Sequence, residues 1–212
     1  MAPIDVLMIK YKRPEYLAKA IAGIEAQTVP VNLILWDNEE KNESLADITS
    51  RVFLNSKADF VGKVDSDTIV PPDWAERLLD AHSKHHFGFI GGFHFRPEDL
   101  EGLKPNIEDF NGVKIWRKHH IGGCAFIIRR EDFKGYTGKG VMGLSEYQAE
   151  MGFPNGYLWD PILYVEHMED LRSKHVITND EYRKYKLKTR GITLEQYQSS
   201  FWNESYMKEN TL

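Results

Sequence analysis

The stretch FVGKVDSDT, from Phe60 to Thr68, is the one on which the fold assignment of this chain depends. An apolar run ends there in two acidic residues, Asp65 and Asp67. In an extended segment residues i and i+2 point to the same side, so both carboxylates can contact one small object. A divalent cation is the obvious candidate, because hard cations prefer carboxylate oxygens. Asp is also common as a solvated turn former at strand ends, so the pair alone leaves both interpretations open.

The residues that precede this stretch predict alternating strands and helices. Apolar runs indicate strands at 4–9, 31–36 and 60–64, and apolar residues at helical spacing indicate helices at 14–26 and 44–55. Pro14 suits the first turn of its helix, and Ser44 with Asp47 resembles a capping box. Strands alternating with helices over short connections are typical of a parallel sheet covered by helices.

Polar residues follow each of these three strands. The clusters are Lys10-Tyr11-Lys12-Arg13, Asp37-Asn38 and Asp65-Ser66-Asp67. Ligands of such sheets gather beyond the carboxyl ends of the strands. We therefore expect the three clusters to converge on one edge of the sheet, and this convergence favours a binding site over turn chemistry.

The second half of the chain is less regular. It predicts a helix at 72–85, a strand at 87–93 whose glycines indicate close backbone approach, and a loop at 96–111. A short strand at 113–116, a glycine turn that enters a strand at 119–130, a glycine-rich loop at 135–143 and a short helix at 146–151 follow. Residues 169–212 are charged with scattered apolar side chains, which favours a helical C-terminal extension packed on the domain or on a partner.

Composition limits the classes of protein. A chain of 212 residues suits one domain, and its net charge of −5 gives no electrostatic footprint for duplex nucleic acid. Cys124 is the only cysteine, which excludes an intrachain disulfide and a thiolate metal cluster. The sequence shows neither a signal peptide nor an apolar stretch of membrane-spanning length, so the expected location is the cytoplasm.

Several motifs together resemble the GT-A fold glycosyltransferases, specifically family 2. Residues 6–14 with 24–28 are similar to the opening strand, turn and first helix of that family, and Leu35-Trp36-Asp37-Asn38 to its second strand. Val64-Asp65-Ser66-Asp67 is similar to its D-x-D motif, and residues 122–130 resemble the glycine turn and strand that line the acceptor side. The resemblance covers about residues 4–167. It implies a Rossmann-like GT-A domain over 1–168, with a mostly parallel central sheet flanked by helices.

The resemblance also implies roles for individual residues. Asp67 would ligate a divalent metal, Mn²⁺ or Mg²⁺, with Asp65 beside it and His167 as a third ligand. The metal would bridge the two phosphates of a nucleoside-diphosphate sugar. Tyr11 would lie against the base, and Asp37 or Asn38 would hydrogen-bond its polar edge. Further contacts to the donor are assigned to Arg13, Lys63, Gly122 and Gly123.

The catalytic base is assigned by the position of an acidic element in the family. An inverting transferase uses one carboxylate to take the proton of the acceptor hydroxyl. Glu146 occupies that place in Leu144-Ser145-Glu146-Tyr147, and Glu150 and Asp160 are the alternatives.

The expected function is therefore transfer of a sugar, with inversion, from a nucleotide donor to a glycan, protein or other hydroxyl-bearing acceptor. A sugar-nucleotide nucleotidyltransferase shares the order of strands and helices, but residues 10–14 lack the glycine-rich phosphate loop that it would need. A non-catalytic nucleotide-sugar or glycan-binding domain of the same fold is a third interpretation. The C-terminal extension could also mediate a homo-oligomer.

Overall fold

The computed structural model describes residues 4–10, 12–41, 43–95, 105–136 and 147–169, with residues 184, 187–188, 191 and 193–196. Its strands are β1 (Ile4–Lys10), β2 (Val31–Asp37), β3 (Phe60–Val64), β4 (Thr68–Ile69), β5 (Ile90–Gly91), β6 (Ile107–Phe110), β7 (Val113–Lys118), β8 (Ala125–Arg129), β9 (Asn155–Leu158) and β10 (Glu166–His167). Its helices are α1 (Pro14–Glu25), α2 (Leu45–Asn55) and α3 (Trp74–Lys84), with a 3₁₀ turn at Arg130–Asp132.

Within these ranges, eight strands form one sheet in the order β2-β1-β3-β8-β5-β9-β7-β6. β1 pairs in parallel with β2 and β3, and β5 pairs in parallel with β9. β8 is antiparallel to β3 and β5, and β7 is antiparallel to β9 and β6. Six of the eight strands therefore share one direction, and only β7 and β8 oppose them. The expected α/β fold with a mostly parallel central sheet is confirmed.

Apolar side chains cover both faces of the sheet. Along β1, Val6 and Met8 belong to one core cluster, while Leu7 and Ile9 belong to the other, as the two-residue alternation of a strand requires. Helices α1 and α3 cover the first face, and α2 packs on the second through Phe53. The polar clusters that follow β1, β2 and β3 lie at the carboxyl edge of the sheet.

Helix α1 begins where its sequence predicts. Pro14 occupies the first turn, and the helix buries Leu17, Ala20 and Ile24 at helical spacing against the sheet. Each large apolar side chain so buried contributes about 1.5–3 kcal/mol relative to its exposed state. The N-cap of α2 is Ser44, as expected, but its side chain makes no capping hydrogen bond, so the proposed capping box is absent.

The second half of the sheet departs from the sequence prediction. The strand expected at 87–93 is reduced to β5, and the loop expected at 96–111 contains β6. Pairing partners decide both outcomes, because β5 is held between β8 and β9 while β6 closes a hairpin with β7. The close approach predicted at the glycines is present: a Cβ on Gly91 would lie 2.3 Å from the carbonyl oxygen of Ala125.

The β4–β10 ribbon is a second, two-stranded sheet that the sequence did not indicate. The predicted boundary near residue 168 and the helical extension fall mostly outside the described residues and stay predictions. Among the helices that the structure describes, none is long and apolar enough to cross a bilayer.

Candidate metal and nucleotide site

The acidic turn after β3 is fixed by backbone hydrogen bonds. The amide of Asp65 donates to the carbonyl oxygen of Cys124 at 2.7 Å, and the amide of Thr68 donates to the carbonyl oxygen of Asp65 at 2.9 Å. The turn therefore belongs to the sheet edge, and both carboxylates are half-buried there.

The β4–β10 ribbon brings His167 to this turn. His167 pairs with Thr68 in the antiparallel register, and the amide of Met168 donates to the carbonyl oxygen of Asp67 at 2.8 Å. The imidazole Nε2 then lies 3.7 Å from Oδ1 of Asp67. One ligand atom from each of Asp65, Asp67 and His167 falls within 4.8 Å of the other two.

These three side chains fit a divalent cation. Carboxylate oxygens suit Mg²⁺ and Mn²⁺, and an imidazole nitrogen adds a ligand that Mn²⁺ also accepts. Three protein ligands would leave room around such an ion for oxygen atoms of water or of a bound ligand.

Lys63 shares the face of β3 from which Asp65 projects. Its ammonium forms an ion pair with Oδ1 of Asp65 and donates to the carbonyl oxygen of Gly123 at 3.1 Å. The Lys63 side chain is only 10% exposed, while that of Asp65 is 35% exposed. The structure therefore places one positive charge directly beside the candidate metal ligands.

A partly buried ion pair connects the loop after β1 to the residue that follows the ribbon by two positions. Arg13 Nη2 lies 3.2 Å from Oε1 of Glu169, and the Tyr16 hydroxyl donates to the same oxygen at 2.8 Å. Burial, followed by the hydrogen bond to Glu169, raises the pKa of Tyr16 to about 12, so its hydroxyl stays a donor at neutral pH. Sequence reasoning assigned Arg13 to the donor and did not single out Tyr16 or Glu169.

The backbone of this loop is unusual. Lys12 and Arg13 have φ values of 56° and 58°, in the left-handed region. For residues other than glycine this conformation costs about 1–2 kcal/mol per residue. Such strain persists where the surroundings fix the backbone, and it is frequent at functional sites.

A cleft of about 580 Å³ opens beside β1 and β2 at the same sheet edge. Its lining includes Lys10 and Asp37, whose side chains pair at 3.0 Å. The amide of Glu39 and then the ammonium of Lys10 lower the pKa of the Asp37 carboxyl. Asp37 is 62% exposed, so it is accessible to a ligand in the cleft.

Asn38 faces the interior of its loop instead. Its Oδ1 accepts from the amide of Glu43 at 2.8 Å, and its Nδ2 donates to the Glu43 carbonyl oxygen at 3.1 Å. Only 3% of the residue is exposed. Asn38 therefore closes the β2–α2 loop, and Asp37 is the more accessible of the two residues proposed for the base.

The glycine turn before β8 lies next to the metal candidates. The amide of Gly122 donates to the Tyr157 hydroxyl at 2.9 Å, and a Cβ on Gly122 would lie 2.7 Å from Cε1 of His94. The His94 ring is 6.4 Å from that of His167. The His94 ring therefore occupies the space that a side chain at position 122 would need, and the sequence pattern did not single out His94.

Two buried amides hold this turn in place. Asn155 accepts from the amide of Phe89 at 2.7 Å and donates to the carbonyl oxygens of His119 and Gln148 at 3.0 and 2.9 Å. Gln148 in turn accepts from the amide of Ile121 at 2.8 Å. Paired amides of this kind can be buried without leaving backbone groups unsatisfied.

The three candidates for the catalytic base have different outcomes, and Glu150 is exposed in the helical turn at 147–150. Glu146 lies outside the described residues, as does Tyr11, which was predicted to contact the base of the nucleotide. Asp160 is exposed and pairs with Lys114 at 2.6 Å. It follows β9, which is three strand positions from β3, about 14 Å at about 4.8 Å per strand. The structure therefore does not bring Asp160 into the Asp65, Asp67 and His167 cluster.

Tyr136 is a further residue of this region that the sequence did not reveal. Burial, with the charges of Tyr147 and Asp65, raises the pKa of Tyr136. An isolated tyrosine in a glycine-rich segment gives no sequence signal that it lies near enough to Asp65 to be affected by its charge. For Glu169 a signal existed, since it lies two residues after His167 and could share its side of an extended segment.

Comparisons with known proteins bear on the fold. A scan against protein-family models finds no match, and neither does a search of curated proteins. Solved structures do match, including the mannosyltransferase PcManGT from Pyrobaculum calidifontis in complex with GDP-Man and Mn²⁺, with a TM-score of 0.64 and 13% identity. That match covers 97% of this chain and 66% of the other.

Two further structures are similar. GalNAc-T7 with UDP, GalNAc and Mn²⁺ matches with a TM-score of 0.57 and 13% identity over 95% of this chain and 50% of its own. S. aureus TarS 1-349 in complex with UDP-GlcNAc matches at 0.55 and 12% over 76% and 57%. The chain thus spans between half and two thirds of the length of these structures. At such identities the likeness shows the fold, which is that of the GT-A glycosyltransferases.

Proposed function

We propose that the chain is a metal-dependent glycosyltransferase that moves a sugar from a nucleoside-diphosphate sugar to an acceptor hydroxyl, with inversion. The cluster of Asp65, Asp67 and His167 carries this proposal, because it joins two carboxylates and an imidazole at the carboxyl edge of β3. Its place in a GT-A fold supports the proposal, since ligands of open α/β sheets bind at that edge.

In this proposal Asp67 and His167 bind a divalent metal, Mn²⁺ or Mg²⁺, and Asp65 lies beside it. A metal held there would supply Lewis-acid stabilisation of the negative charge on the leaving diphosphate. Lys63 offers a second positive charge for the same anion, since its ammonium already lies against Asp65. The half-buried position of the three ligands limits competition from water for these contacts.

The donor nucleotide occupies the cleft beside β1 and β2. Asp37 is exposed in that cleft and accepts hydrogen bonds from the polar edge of the base or from the ribose. Tyr11 and Arg13, from the loop after β1, are assigned to the same ligand. The glycine turn at Gly122 and Gly123 borders the transferred sugar, with the carbonyl oxygen of Gly123 already engaged by Lys63.

The base that takes the acceptor proton is assigned to Glu146, with Glu150 and Asp160 as the alternatives. An in-line displacement needs this carboxylate on the side of the sugar opposite the diphosphate. The position of Asp160 beside Lys114, about three strands from β3, supports Glu146 over Asp160. The acceptor is a glycan, a protein or another hydroxyl-bearing molecule.

Calorimetric titration tests the proposal. UDP and GDP are each titrated into the protein, once in the presence of Mn²⁺ and once in the presence of excess EDTA. These two nucleotides are chosen because structures with this fold hold UDP, UDP-GlcNAc or GDP-Man. We expect at least one diphosphate to bind about tenfold or more tightly with Mn²⁺. Failure of both to bind in a metal-dependent manner would contradict the proposal. Binding without hydrolysis or transfer, for every nucleotide sugar and acceptor supplied, would favour a non-catalytic binding domain instead.

A further inference from the structure

Glu169 is a buried carboxylate to which the proposed reaction gives no role. It is 2% exposed and lies two residues after His167. Both of its oxygens face Arg13, with Nη2 3.2 Å from Oε1 and 3.3 Å from Oε2, and Tyr16 donates a third contact at 2.8 Å. A buried charge is tolerated only when it is paired and hydrogen-bonded, so these partners fix where Glu169 can lie.

Among the described residues, the backbone contacts of β10 itself are few, although Val165 just before it donates to the carbonyl oxygen of Phe93 at 3.0 Å. β10 pairs with β4 over two residue pairs, Glu166 with Ile69 and His167 with Thr68, and Met168 adds one backbone bond to Asp67. Isolated two-stranded ribbons are marginally stable, and this one is short. The Glu169 contacts to Arg13 and Tyr16 attach the other side of His167 to the start of α1.

The same contacts act on the loop after β1. Arg13 is the N-cap of α1 in a left-handed conformation, and its carbonyl oxygen accepts from the amides of Tyr16 and Leu17, each at 3.1 Å. An ion pair to a buried carboxylate stabilises this strained backbone. The loop that borders the donor cleft and the strand that carries the third metal ligand thus share one anchor.

We infer that Glu169 is a positioning residue, which holds His167 within reach of Asp67 through the Arg13 and Tyr16 contacts and so couples the donor loop to the metal site. This inference rests on the metal-binding role in the proposed function. Glu169 is not among the side chains that converge on the candidate ion, so its effect passes through the two residues that separate it from His167. If a ligand orders the loop after β1, it strengthens metal binding. By thermodynamic linkage, a bound metal then strengthens the binding of that ligand by the same factor.

The test measures Mn²⁺ affinity in the absence of nucleotide, by electron paramagnetic resonance of free Mn²⁺. Glu169→Gln keeps the size of the side chain and removes its charge. We expect a rise in Kd of about tenfold, the lower range for partners that orient metal ligands. Glu166→Gln is the matched control, since it removes the same charge from the exposed neighbour of His167. Its Kd should stay within about twofold of that of the unaltered chain.

A double-mutant cycle separates positioning from a general loss of structure. If Glu169 acts through His167, Glu169→Gln adds no further rise in Kd on the background of His167→Ala. Persistence of the full tenfold effect without His167 would overturn the inference, as would equal effects of Glu169→Gln and Glu166→Gln. An unaltered chain that binds no Mn²⁺ would overturn the proposed function and this inference together. Normal Mn²⁺ binding with an unaffected Glu169→Gln variant would overturn the inference alone.

Tyr16→Phe provides a second variant should Glu169→Gln fail to fold. It deletes one hydrogen bond to Glu169 and leaves the Arg13 ion pair in place. We expect a rise in the Kd for Mn²⁺ of about threefold, in the same direction as for Glu169→Gln. An unchanged Kd in this variant would contradict the inference.

Discussion

The imidazole Nε2 of His167 lies 3.7 Å from Oδ1 of Asp67, although the two residues are far apart in the sequence. The contact depends on a ribbon of two residue pairs, which sets His167 opposite Thr68. A carboxylate pair that the sequence alone leaves ambiguous thereby acquires a nitrogen donor. Three convergent ligands make cation binding the best-supported chemistry of this edge.

Asp67→Ala should abolish metal-dependent nucleotide binding and lower the rate of sugar transfer by at least about a hundredfold. The substitution removes the carboxylate that lies between the acidic turn and His167 of the ribbon. The fold should persist, since the backbone bonds of the turn do not use this carboxylate. Donor hydrolysis and thermal unfolding measure the two properties. The control is Asp47→Ala, an exposed acid in the first turn of α2. Full activity in Asp67→Ala would disprove the metal assignment.

Lys63→Met should affect metal and diphosphate in opposite directions. The ammonium of Lys63 pairs with Asp65, so its removal frees a carboxylate for the cation and should tighten Mn²⁺ binding by up to about tenfold. The same change removes a positive charge from the anion site and should weaken diphosphate binding by about tenfold.

Isothermal titration of each ligand separately checks this prediction. Lys57→Met, which removes an exposed lysine after α2, serves as the control. If Lys63→Met weakens the binding of both Mn²⁺ and the diphosphate, the Lys63 ammonium supports the turn and does not compete with the cation for Asp65.

Asn155→Asp should destabilise the fold by about 3 kcal/mol at neutral pH. The new carboxylate could still accept from the amide of Phe89, but it would face the carbonyl oxygens of His119 and Gln148 without a proton to donate. Urea unfolding measures the difference. Asn55→Asp, at the exposed end of α2, should cost less than about 1 kcal/mol. A similar cost at both positions would refute the role of the buried amide.

The buried histidine of α3 should make the fold sensitive to acid. Burial, opposed by a hydrogen bond to the Ile127 carbonyl oxygen and reinforced by the charges of Arg129 and His86, lowers the pKa of His82 from 6.5 to about 3. Between these values the unfolded chain binds a proton at this site and the folded chain does not. Stability should therefore fall as the pH falls through this window, by up to about 1.4 kcal/mol per pH unit.

His82→Leu should flatten that dependence between pH 6.5 and 4, because leucine fills similar space and does not titrate. Unfolding at pH 8 gives the packing cost of the substitution separately. Some slope should remain, since burial also lowers the pKa of His120 to about 4. Identical slopes for the variant and the unaltered chain would show that His82 does not carry the effect.

The first half of the fold followed from the sequence. β1, α1, β2, α2 and β3 lie within two residues of their predicted limits, because each combines a strong apolar period with local start or stop signals such as Pro14. The convergence of the three strand ends also followed, since parallel neighbours present their carboxyl ends at one edge.

The second half was less predictable. β5 and β6 have two and four residues, and their extent depends on the strands that flank them. A periodicity argument needs a longer segment than either provides. Gly91 and Gly122 are glycines because a carbonyl oxygen and a histidine from distant segments occupy the space of a side chain.

The opening stretch by itself determined that two carboxylates leave a buried strand on one side, because alternation along a strand is a local property. The same alternation places Lys63 on the side of Asp65, whereas tertiary structure alone decided the rest of their surroundings: the ring of His167 beside Asp67, and Glu169 held by Arg13. Contacts between segments so far apart depend on how strands pair and how one helix begins. No local sequence pattern specifies that residues so far apart in the chain lie together.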